Sequence, residues 1–233
     1  MLLLGGWTYV LIIPALILAF YAQTKVRSAY AKFSQVRNQR GLTGAQVARH
    51  LLDSAGLSDV EVEKVPGELT DHYDPRKKVL RLSEGVYGSP SVAAVGIAAH
   101  ETGHAMQDGQ GYLPLKIRAS FVPVASIGST LAFPLFFIGL IFSTSSSFHL
   151  KWLMDVGILF FSGAVLFHLV TLPVEFNASH RAIKTLADGG YLVGEEAHSA
   201  KAVLNAAAWT YVAAATMAVM QLLQLLILRG SRD

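Results

Sequence analysis

Stretches without any charged side chain alternate along this chain with stretches that are rich in charge. Four uncharged runs extend over residues 1–24, 119–148, 156–174 and 202–228. Each is as long as the roughly 18–20 apolar residues that a helix needs to cross about 30 Å of hydrocarbon. The pattern predicts a mainly α-helical protein, a polytopic membrane helix bundle with about four transmembrane helices.

Two of these runs have an alternative interpretation. The first run could be a signal peptide, but it lacks a basic n-region and its apolar stretch is too long for a typical h-region. It therefore favours an uncleaved anchor. The fourth run could be the core helix of a soluble domain, yet its many alanines are typical of a helix packed against other membrane helices.

The composition agrees with a membrane protein. Hydrophobic residues make up 52% of the chain and charged residues only 15%, against about 25% charged residues in a soluble domain. The absence of cysteine excludes both a disulfide scaffold and a Cys-ligated zinc site. The net charge of +3 implies no nucleic-acid partner, because a membrane protein uses Lys and Arg to set its topology.

The distribution of positive charge predicts the orientation in the membrane. Residues 25–118 hold 13 of the 19 Lys and Arg, residues 175–201 hold three, and the link between the second and third runs holds only Lys151. Because cytoplasmic loops carry the excess of Lys and Arg, residues 25–118 and 175–201 are expected on the cytoplasmic side. Arg229 and Arg232 in the C-terminal tail oppose this assignment, since four crossings place the tail outside.

The charged segment after the first run predicts a small α+β part. Thr43 is a plausible N-cap of a helix that Gly56 would end. Residues 60–65 and 77–83 have the alternation and the β-branched side chains of strands, and a turn-rich connection joins them. A strand edge near residues 77–83 could pair with an extended peptide.

The chemistry-bearing motif is His100-Glu101-Thr102-Gly103-His104. Its i, i+4 spacing puts both imidazoles on one face of a helix, one turn apart, where they can bind a single Zn²⁺. Glu101 is suited to take a proton from metal-bound water and to pass it to a leaving amine. The motif therefore predicts a zinc site with Glu101 as the catalytic residue, and a zincin-like arrangement for the small α+β part.

The helix that carries this motif is expected to be buried. Residues 91–99 are uncharged but too few to span a bilayer, which argues against an intramembrane protease. Ser89 would cap the helix, with Pro90 at its first position. Gly96 and Gly103 would let another element approach the helix closely.

A catalytic zinc needs a third protein ligand, and Glu175 is the best candidate. It follows the third run directly, where a carboxylate is costly unless it is paired or bound to a metal. Its helix is expected to begin near Pro173. His180 is the rival ligand, but it lies five residues further on and would point to a different face. Arg181 could steady Glu175, bind a substrate carbonyl or contact lipid phosphates.

The remaining candidates are weaker. His72 and Tyr73 lie in the turn-rich connection, where either could stabilise the oxyanion of the transition state or be merely structural. The other histidines are not expected to be ligands, because of their place in a membrane run, on the opposite side of the membrane or in polar helical patterns. They are His168, His149, His50 and His198.

Three segments together resemble the YugP-like neutral zinc metallopeptidases, a family of bacterial multi-pass membrane proteins. They are LTDHYDPRKKVLRLSEGVYG, AAVGIAAHETGHAMQ and LPVEFNASHRA, and the likeness covers nearly the whole chain. The resemblance implies His100, His104 and Glu175 as zinc ligands and Glu101 as the base, as in the related HtpX-type membrane gluzincins. Those enzymes often carry an Asp four residues after the ligand Glu, bracing the first His, whereas this chain has Ser179.

These observations lead us to expect a membrane-embedded zinc metalloendopeptidase with its site on the cytoplasmic side of a bacterial plasma membrane. Its partners would be the lipid bilayer and a polypeptide substrate, membrane proteins included, with no nucleic acid. The alternative is a non-enzymatic scaffold or chaperone-like protein with a structural zinc. A fourth protein ligand such as His72 would favour that alternative, because structural zinc sites are usually closed.

The expected division of the chain follows from the runs and the motif. It comprises residues 1–24 as the first transmembrane helix, 25–118 as a cytoplasmic part with the motif helix, 119–148 as the second transmembrane helix, 149–174 as a short loop and the third, 175–201 as a cytoplasmic segment with the third ligand, and 202–233 as the fourth with the tail.

Overall fold

The computed structural model describes residues 6–142 and 150–231. His149 and Arg232, which entered the topology argument, lie outside this range. The described part is mostly helical with one small sheet. After a short 3₁₀ segment, Gly6–Leu11, its elements are α1 (Ile13–Phe33), α2 (Gly44–Ser54), β1 (Glu61–Val65), β2 (His72–Asp74), β3 (Val79–Ser83), α3 (Glu84–Tyr87), α4 (Val92–Gly109), α5 (Leu113–Phe142), α6 (Trp152–Asp188) and α7 (Glu195–Gly230).

Four helical segments are long and apolar enough to cross a membrane: Thr8–Phe33, α5, α6 and α7. The predicted class, a mainly α bundle with about four such helices, is confirmed. The expectation that a new helix begins near Pro173 is wrong, because α6 continues through this proline to Asp188. Membrane helices tolerate an internal proline, since the freed backbone groups find other partners in a helix bundle.

The chain divides into two compact units. The first comprises Met1–Tyr21, Lys116–Leu172 and Tyr211–Asp233, and the second comprises Ala22–Leu115 and Pro173–Thr210. In the first unit, glycines let α5 and α6 approach closely: a Cβ on Gly157 would lie 2.6 Å from the carbonyl oxygen of Ala132. The apolar core of this unit surrounds that contact, with Phe136 and Met154 fully buried.

An ion pair connects the end of α7 to the start of α6. The Arg229 guanidinium donates to Asp155 near the start of α6, with Nε 2.7 Å from Oδ1 and Nη2 3.2 Å from Oδ2. Arg229 is therefore compensated locally by a carboxylate. The ion pair joins the end of α7 to the start of α6 within the first unit.

The second unit contains the sheet, whose strand order is β1-β3-β2. β1 pairs with β3 in parallel, and β2 pairs with β3 antiparallel. The strands expected in residues 60–65 and 77–83 are confirmed, but β2 forms inside the connection that was expected to consist of turns. The expectation of a free edge near 77–83 is also wrong, because β3 is the central strand and the outer edges belong to β1 and β2.

Helix α4 lies between two apolar clusters of the second unit. One cluster joins Val95 and Ala99 of α4 to α2 and to the buried Leu186 of α6. The other joins Ala94 and Ala98 of α4 to the sheet. Because both sides of α4 are covered, its position is fixed by packing. This helix is not among the described helices that qualify as membrane spans, as expected.

The ends of these helices follow local rules, with one correction. Thr43 caps α2 in a capping box with Gln46, and Gly56 follows the helix with a φ of +72°, as expected. For α4, however, the cap is Ser91 and not Ser89: its Oγ accepts from the Ala94 N–H at 3.2 Å. Pro90 therefore precedes the helix.

Candidate metal centre

The three metal-ligand candidates come together because α4 and α6 approach closely within the second unit. A Cβ on Gly103 would lie 2.7 Å from the carbonyl oxygen of Ala178 on α6, and a Cβ on Gly96 would lie 3.3 Å from the Cβ of Ala200 on α7. The expectation that these glycines permit close approach is confirmed. The backbone contact at Gly103 places the motif beside the turn of α6 that carries Glu175.

The side chains of His100, His104 and Glu175 converge on one point. Glu175 Oε2 lies 3.2 Å from His100 Nε2 and 3.5 Å from His104 Nε2, and one potential ligand atom of each residue lies within 4.8 Å of the other two. Donor atoms around a tetrahedral zinc lie about 3.3 Å apart, as follows from bond lengths of about 2.0–2.1 Å. Two nitrogens and one carboxylate oxygen at these separations fit Zn²⁺.

The site is largely withdrawn from solvent. The Glu175 side chain is only 4% exposed, and those of His100 and His104 are 12% and 11% exposed. A buried carboxylate is costly unless a cation or a set of donors compensates for the lost hydration. The burial of Glu175 between two imidazoles is therefore best compensated by a bound cation.

The outer nitrogen of each imidazole also has a partner. His104 Nδ1 lies 3.0 Å from Gln107 Oε1, and His100 Nδ1 lies 3.1 Å from Ser179 Oγ. Such contacts orient metal-binding imidazoles and present Nε2 to the metal. Ser179 thus lies where the brace of the related enzymes is expected, as a neutral hydroxyl. Gln107 was not indicated by the motif, although its position three residues after His104 places it on the same face of α4.

Glu101 lies in the same turn of α4 as the two histidines. The residue is 9% exposed, and its carboxylate makes no hydrogen bond or ion pair with any residue that the structure describes. Every buried side-chain oxygen or nitrogen among those residues has a hydrogen-bond partner. The Glu101 oxygens therefore retain contact with solvent-accessible space, as a group that exchanges protons with water must.

His72 and Tyr73 lie on β2 and not beside the three converging residues. His72 is exposed, and its Nδ1 lies 2.9 Å from the carbonyl oxygen of Thr70. The Tyr73 hydroxyl donates to Asp108 Oδ2 on α4 at 3.0 Å. Burial, with a smaller contribution from Asp108, raises the pKa of Tyr73 well above its usual value of about 10. Tyr73 therefore attaches β2 to the helix that carries the motif.

Arg181 and His180 occupy different surroundings on α6. Arg181 Nε donates to Asn177 Oδ1 at 2.7 Å, and its Nη1 donates to Gln110 Oε1 at 2.6 Å. His180 is exposed and lies outside the converging group. The rival third ligand is thus not at the site, and Arg181 links α6 to the end of α4.

A membrane helix bundle with two imidazoles and a carboxylate converging beside a general-base candidate has the architecture of a membrane zinc hydrolase. Comparison with known proteins identifies the family: residues 8–230 match the family described as "Putative neutral zinc metallopeptidase", and the chain belongs to it. The chain is 46% identical to "Putative membrane protease YugP" of Bacillus subtilis (strain 168) over 224 aligned residues. The alignment covers 96% of this chain and 97% of that protein. No solved structure matches the chain. The expected cofactor, Zn²⁺, and the membrane assignment are therefore confirmed.

Proposed function

We propose that this protein is a zinc metalloendopeptidase of the gluzincin type, with His100, His104 and Glu175 as the zinc ligands and Glu101 as the general base. The observation that carries the proposal is the convergence of both Nε2 atoms on Glu175 Oε2 at 3.2 and 3.5 Å. Three ligands leave the fourth position of a tetrahedral ion for water and substrate, as in catalytic zinc sites.

In peptide hydrolysis the zinc ion and Glu101 then have separate roles. Zinc, when bound, polarises the scissile carbonyl and lowers the pKa of water. Glu101 takes a proton from the attacking water and delivers it to the leaving amine. Its carboxylate is free for this role, because it has no hydrogen-bond partner among the described residues.

The outer edge of β2 is the proposed alignment site for the substrate. An extended polypeptide can add to a free sheet edge through its main-chain hydrogen bonds. β2 is suited to this role because the Tyr73 hydroxyl connects it to Asp108 on α4. His72 is exposed on the same strand and is a candidate contact for the substrate or the oxyanion. The substrates we propose are polypeptides, membrane proteins among them.

The alternative function is a scaffold or chaperone-like protein with a structural zinc. That function would call for a fourth protein ligand. Among the described residues, the converging group of His and acidic side chains has three members, and His72 is not one of them. The open geometry therefore favours catalysis.

The proposed location is the bacterial plasma membrane, with the site on the cytoplasmic side. Support comes from the concentration of Lys and Arg in residues 25–118 and 175–201, the two segments that supply the site. Arg229 and Arg232 in the C-terminal tail are two positive charges, against the sixteen in these two segments. A cysteine-accessibility experiment on intact cells tests this orientation, with one cysteine introduced at exposed His198 and another at half-buried Lys151. Only Lys151→Cys should react with an impermeant reagent.

The substitution Glu101→Gln tests the proposed reaction. The full-length protein in detergent should retain zinc and lose about 10²–10⁴-fold in cleavage of a fluorescent unfolded polypeptide, since a general base contributes about that factor. Glu84→Gln is the matched control, because Glu84 is an exposed carboxylate on α3, and this variant should cleave as the unsubstituted protein does. Cleavage retained in Glu101→Gln would overturn the proposed role of this residue.

A further inference from the structure

The side chain of Gln107 is completely buried and contacts three groups at once. Its Oε1 lies 3.0 Å from His104 Nδ1, and its Nε2 lies 2.8 Å from the carbonyl oxygen of Val174 and 2.9 Å from Asn177 Oδ1. Val174 and Asn177 belong to α6, on either side of Glu175. One amide therefore joins a metal-ligand candidate on α4 to the turn of α6 that supplies the third candidate.

The direction of each hydrogen bond follows from groups that can act in only one way. The carbonyl oxygen of Val174 can only accept, so the Gln107 atom facing it is the NH₂ group. The Gln107 atom facing His104 is therefore its carbonyl oxygen, which can only accept as well. It follows that His104 Nδ1 carries a proton and donates to Gln107.

The hydrogen bond between Arg181 and Asn177 independently indicates the same orientation of the Gln107 amide. Arg181 can only donate, so the Asn177 atom that faces its Nε is the carbonyl oxygen Oδ1. That oxygen also faces Gln107 Nε2, which must then be the donor. The Val174 carbonyl can only accept and the Arg181 guanidinium can only donate. Together they impose one orientation on the side-chain amides of Gln107 and Asn177.

We infer that Gln107 is a positioning residue that holds the His104 imidazole as the Nδ1–H tautomer, and that Asn177 and Arg181 hold Gln107 in this orientation. The inference rests on the proposed ligand set. The tautomer leaves the lone pair of His104 Nε2 directed towards Glu175, where a zinc ion would be held. His104 is thereby prepared for the metal before the metal binds.

His100 supplies an internal contrast. Its Nδ1 faces the hydroxyl of Ser179, which can donate or accept and so imposes no tautomer. The two histidines of the motif are equivalent in sequence, but only His104 has a fixed proton position. The geometry therefore assigns different roles to their partners.

The first experiment reads the tautomer directly in the zinc-free, full-length protein. Imidazole ¹⁵N labelling distinguishes protonated from unprotonated ring nitrogens, and the neutral ring of His104 should carry its proton on Nδ1. Gln107→Met keeps the length of the side chain and removes both hydrogen-bonding groups, so it should yield a mixture of tautomers at His104. An unchanged Nδ1–H tautomer in Gln107→Met would overturn the inference.

The second experiment measures zinc affinity by competition with a chromophoric chelator. Gln107→Met should weaken zinc binding about 10–100-fold, the range for loss of a hydrogen-bond partner to a metal ligand. Gln224→Met is the matched control, because it removes another buried amide, one that donates to Thr8 in the first unit. It should leave the affinity unchanged, and equal affinities of the two variants would contradict the inference.

A pair of substitutions at Asn177 decides the matter if Gln107→Met does not fold. Asn177→Asp keeps an acceptor for Gln107 and should bind zinc within about threefold of the unsubstituted protein, whereas Asn177→Leu should bind at least about tenfold more weakly. Equal affinity in these two variants overturns the inference. If instead His104→Ala binds zinc as tightly as the unsubstituted protein, the proposed ligand set fails, and the tautomer measurement still decides the role of Gln107.

Discussion

Helix α6 takes part in two close helix contacts, one surrounded by apolar side chains and the other by buried polar side chains. In the first unit, α5 and α6 meet at Gly157 around an apolar core that contains Phe136. In the second unit, α4 and α6 meet at Gly103, and the buried side chains next to this contact include His104, Gln107 and Glu175. In both places a glycine lies against a backbone carbonyl. The contact serves packing in the first unit and brings the ligand candidates together in the second. Glycine contacts alone therefore do not distinguish a site from a core.

The largest expected effects come from one substitution beside each contact, and they differ in kind. Glu175→Gln should lower zinc affinity by more than 100-fold, beyond the 10–100-fold expected for a group that only supports a ligand. It should not lower thermal stability without zinc, because it removes a buried carboxylate. Phe136→Ala should cost about 3–5 kcal/mol of stability and leave zinc affinity unchanged. Chelator competition measures the zinc affinity of both variants, and thermal unfolding in detergent measures their stability. A loss of stability in Glu175→Gln together with a loss of zinc affinity in Phe136→Ala would contradict the distinction between the two contacts.

The next effect concerns the glycines. Gly103→Ala puts a Cβ about as close as 2.7 Å to the Ala178 carbonyl oxygen, so α4 and α6 must separate and zinc affinity should fall about tenfold or more. Gly157→Ala should lower stability only. Gly88→Ala is the control, because its added Cβ meets nothing within 4 Å. Zinc binding by Gly103→Ala at the affinity of Gly88→Ala would show that the close contact does not position the ligands.

A smaller effect is expected from the brace of His100. Ser179→Ala removes a hydroxyl 3.1 Å from His100 Nδ1 and should weaken zinc binding about tenfold, less than Gln107→Met does. The loss of affinity is expected to be smaller because the Ser179 hydroxyl does not impose a tautomer on His100, whereas Gln107 imposes one on His104. Side-by-side chelator titrations measure it, and a greater loss in Ser179→Ala would reverse the proposed order of the two partners.

The smallest effect concerns Tyr73 and pH. Tyr73→Phe removes the hydrogen bond to Asp108 and should cost about 1 kcal/mol of stability at neutral pH. The pKa of Tyr73 is raised in the folded protein, chiefly by burial. The folded state therefore holds this proton more tightly than the unfolded chain, and the contribution is present below about pH 10 and declines as pH rises further.

The pH dependence supplies the check on this prediction. Unfolding midpoints from pH 7 to pH 11 should show a gap between Tyr73→Phe and the unsubstituted protein that narrows above about pH 10. A gap that widens above about pH 10 would contradict the proposed contribution of the half-buried hydrogen bond between Tyr73 and Asp108. Exposed Tyr9→Phe is the control, and it should show no gap at any pH.

The sequence allowed the site to be predicted better than its surroundings. The i, i+4 spacing of His100 and His104 and the cost of a carboxylate at Glu175 are local properties, so they were visible before any packing was known. The four apolar runs likewise predicted the membrane helices. The segment that became β2 has three residues and polar side chains, and only pairing with β3 makes it a strand.

Features that depend on distant contacts could not be predicted in this way. Gln107 bonds to residues 67 and 70 positions further along the chain, so nothing in its own neighbourhood indicated its role. Pro173 suggested a helix start, but the surrounding helices allow α6 to continue through it. Ser91 displaced Ser89 as the cap of α4 because its Oγ reaches the Ala94 N–H.

The most direct test of the account is the position of the metal in the zinc-loaded, full-length protein. Anomalous scattering at the zinc edge should locate one ion about 2.0–2.2 Å from His100 Nε2, His104 Nε2 and a carboxylate oxygen of Glu175, with its fourth position open to solvent. A zinc ion held elsewhere, or one closed by a fourth protein ligand at these three residues, would contradict the proposed catalytic centre.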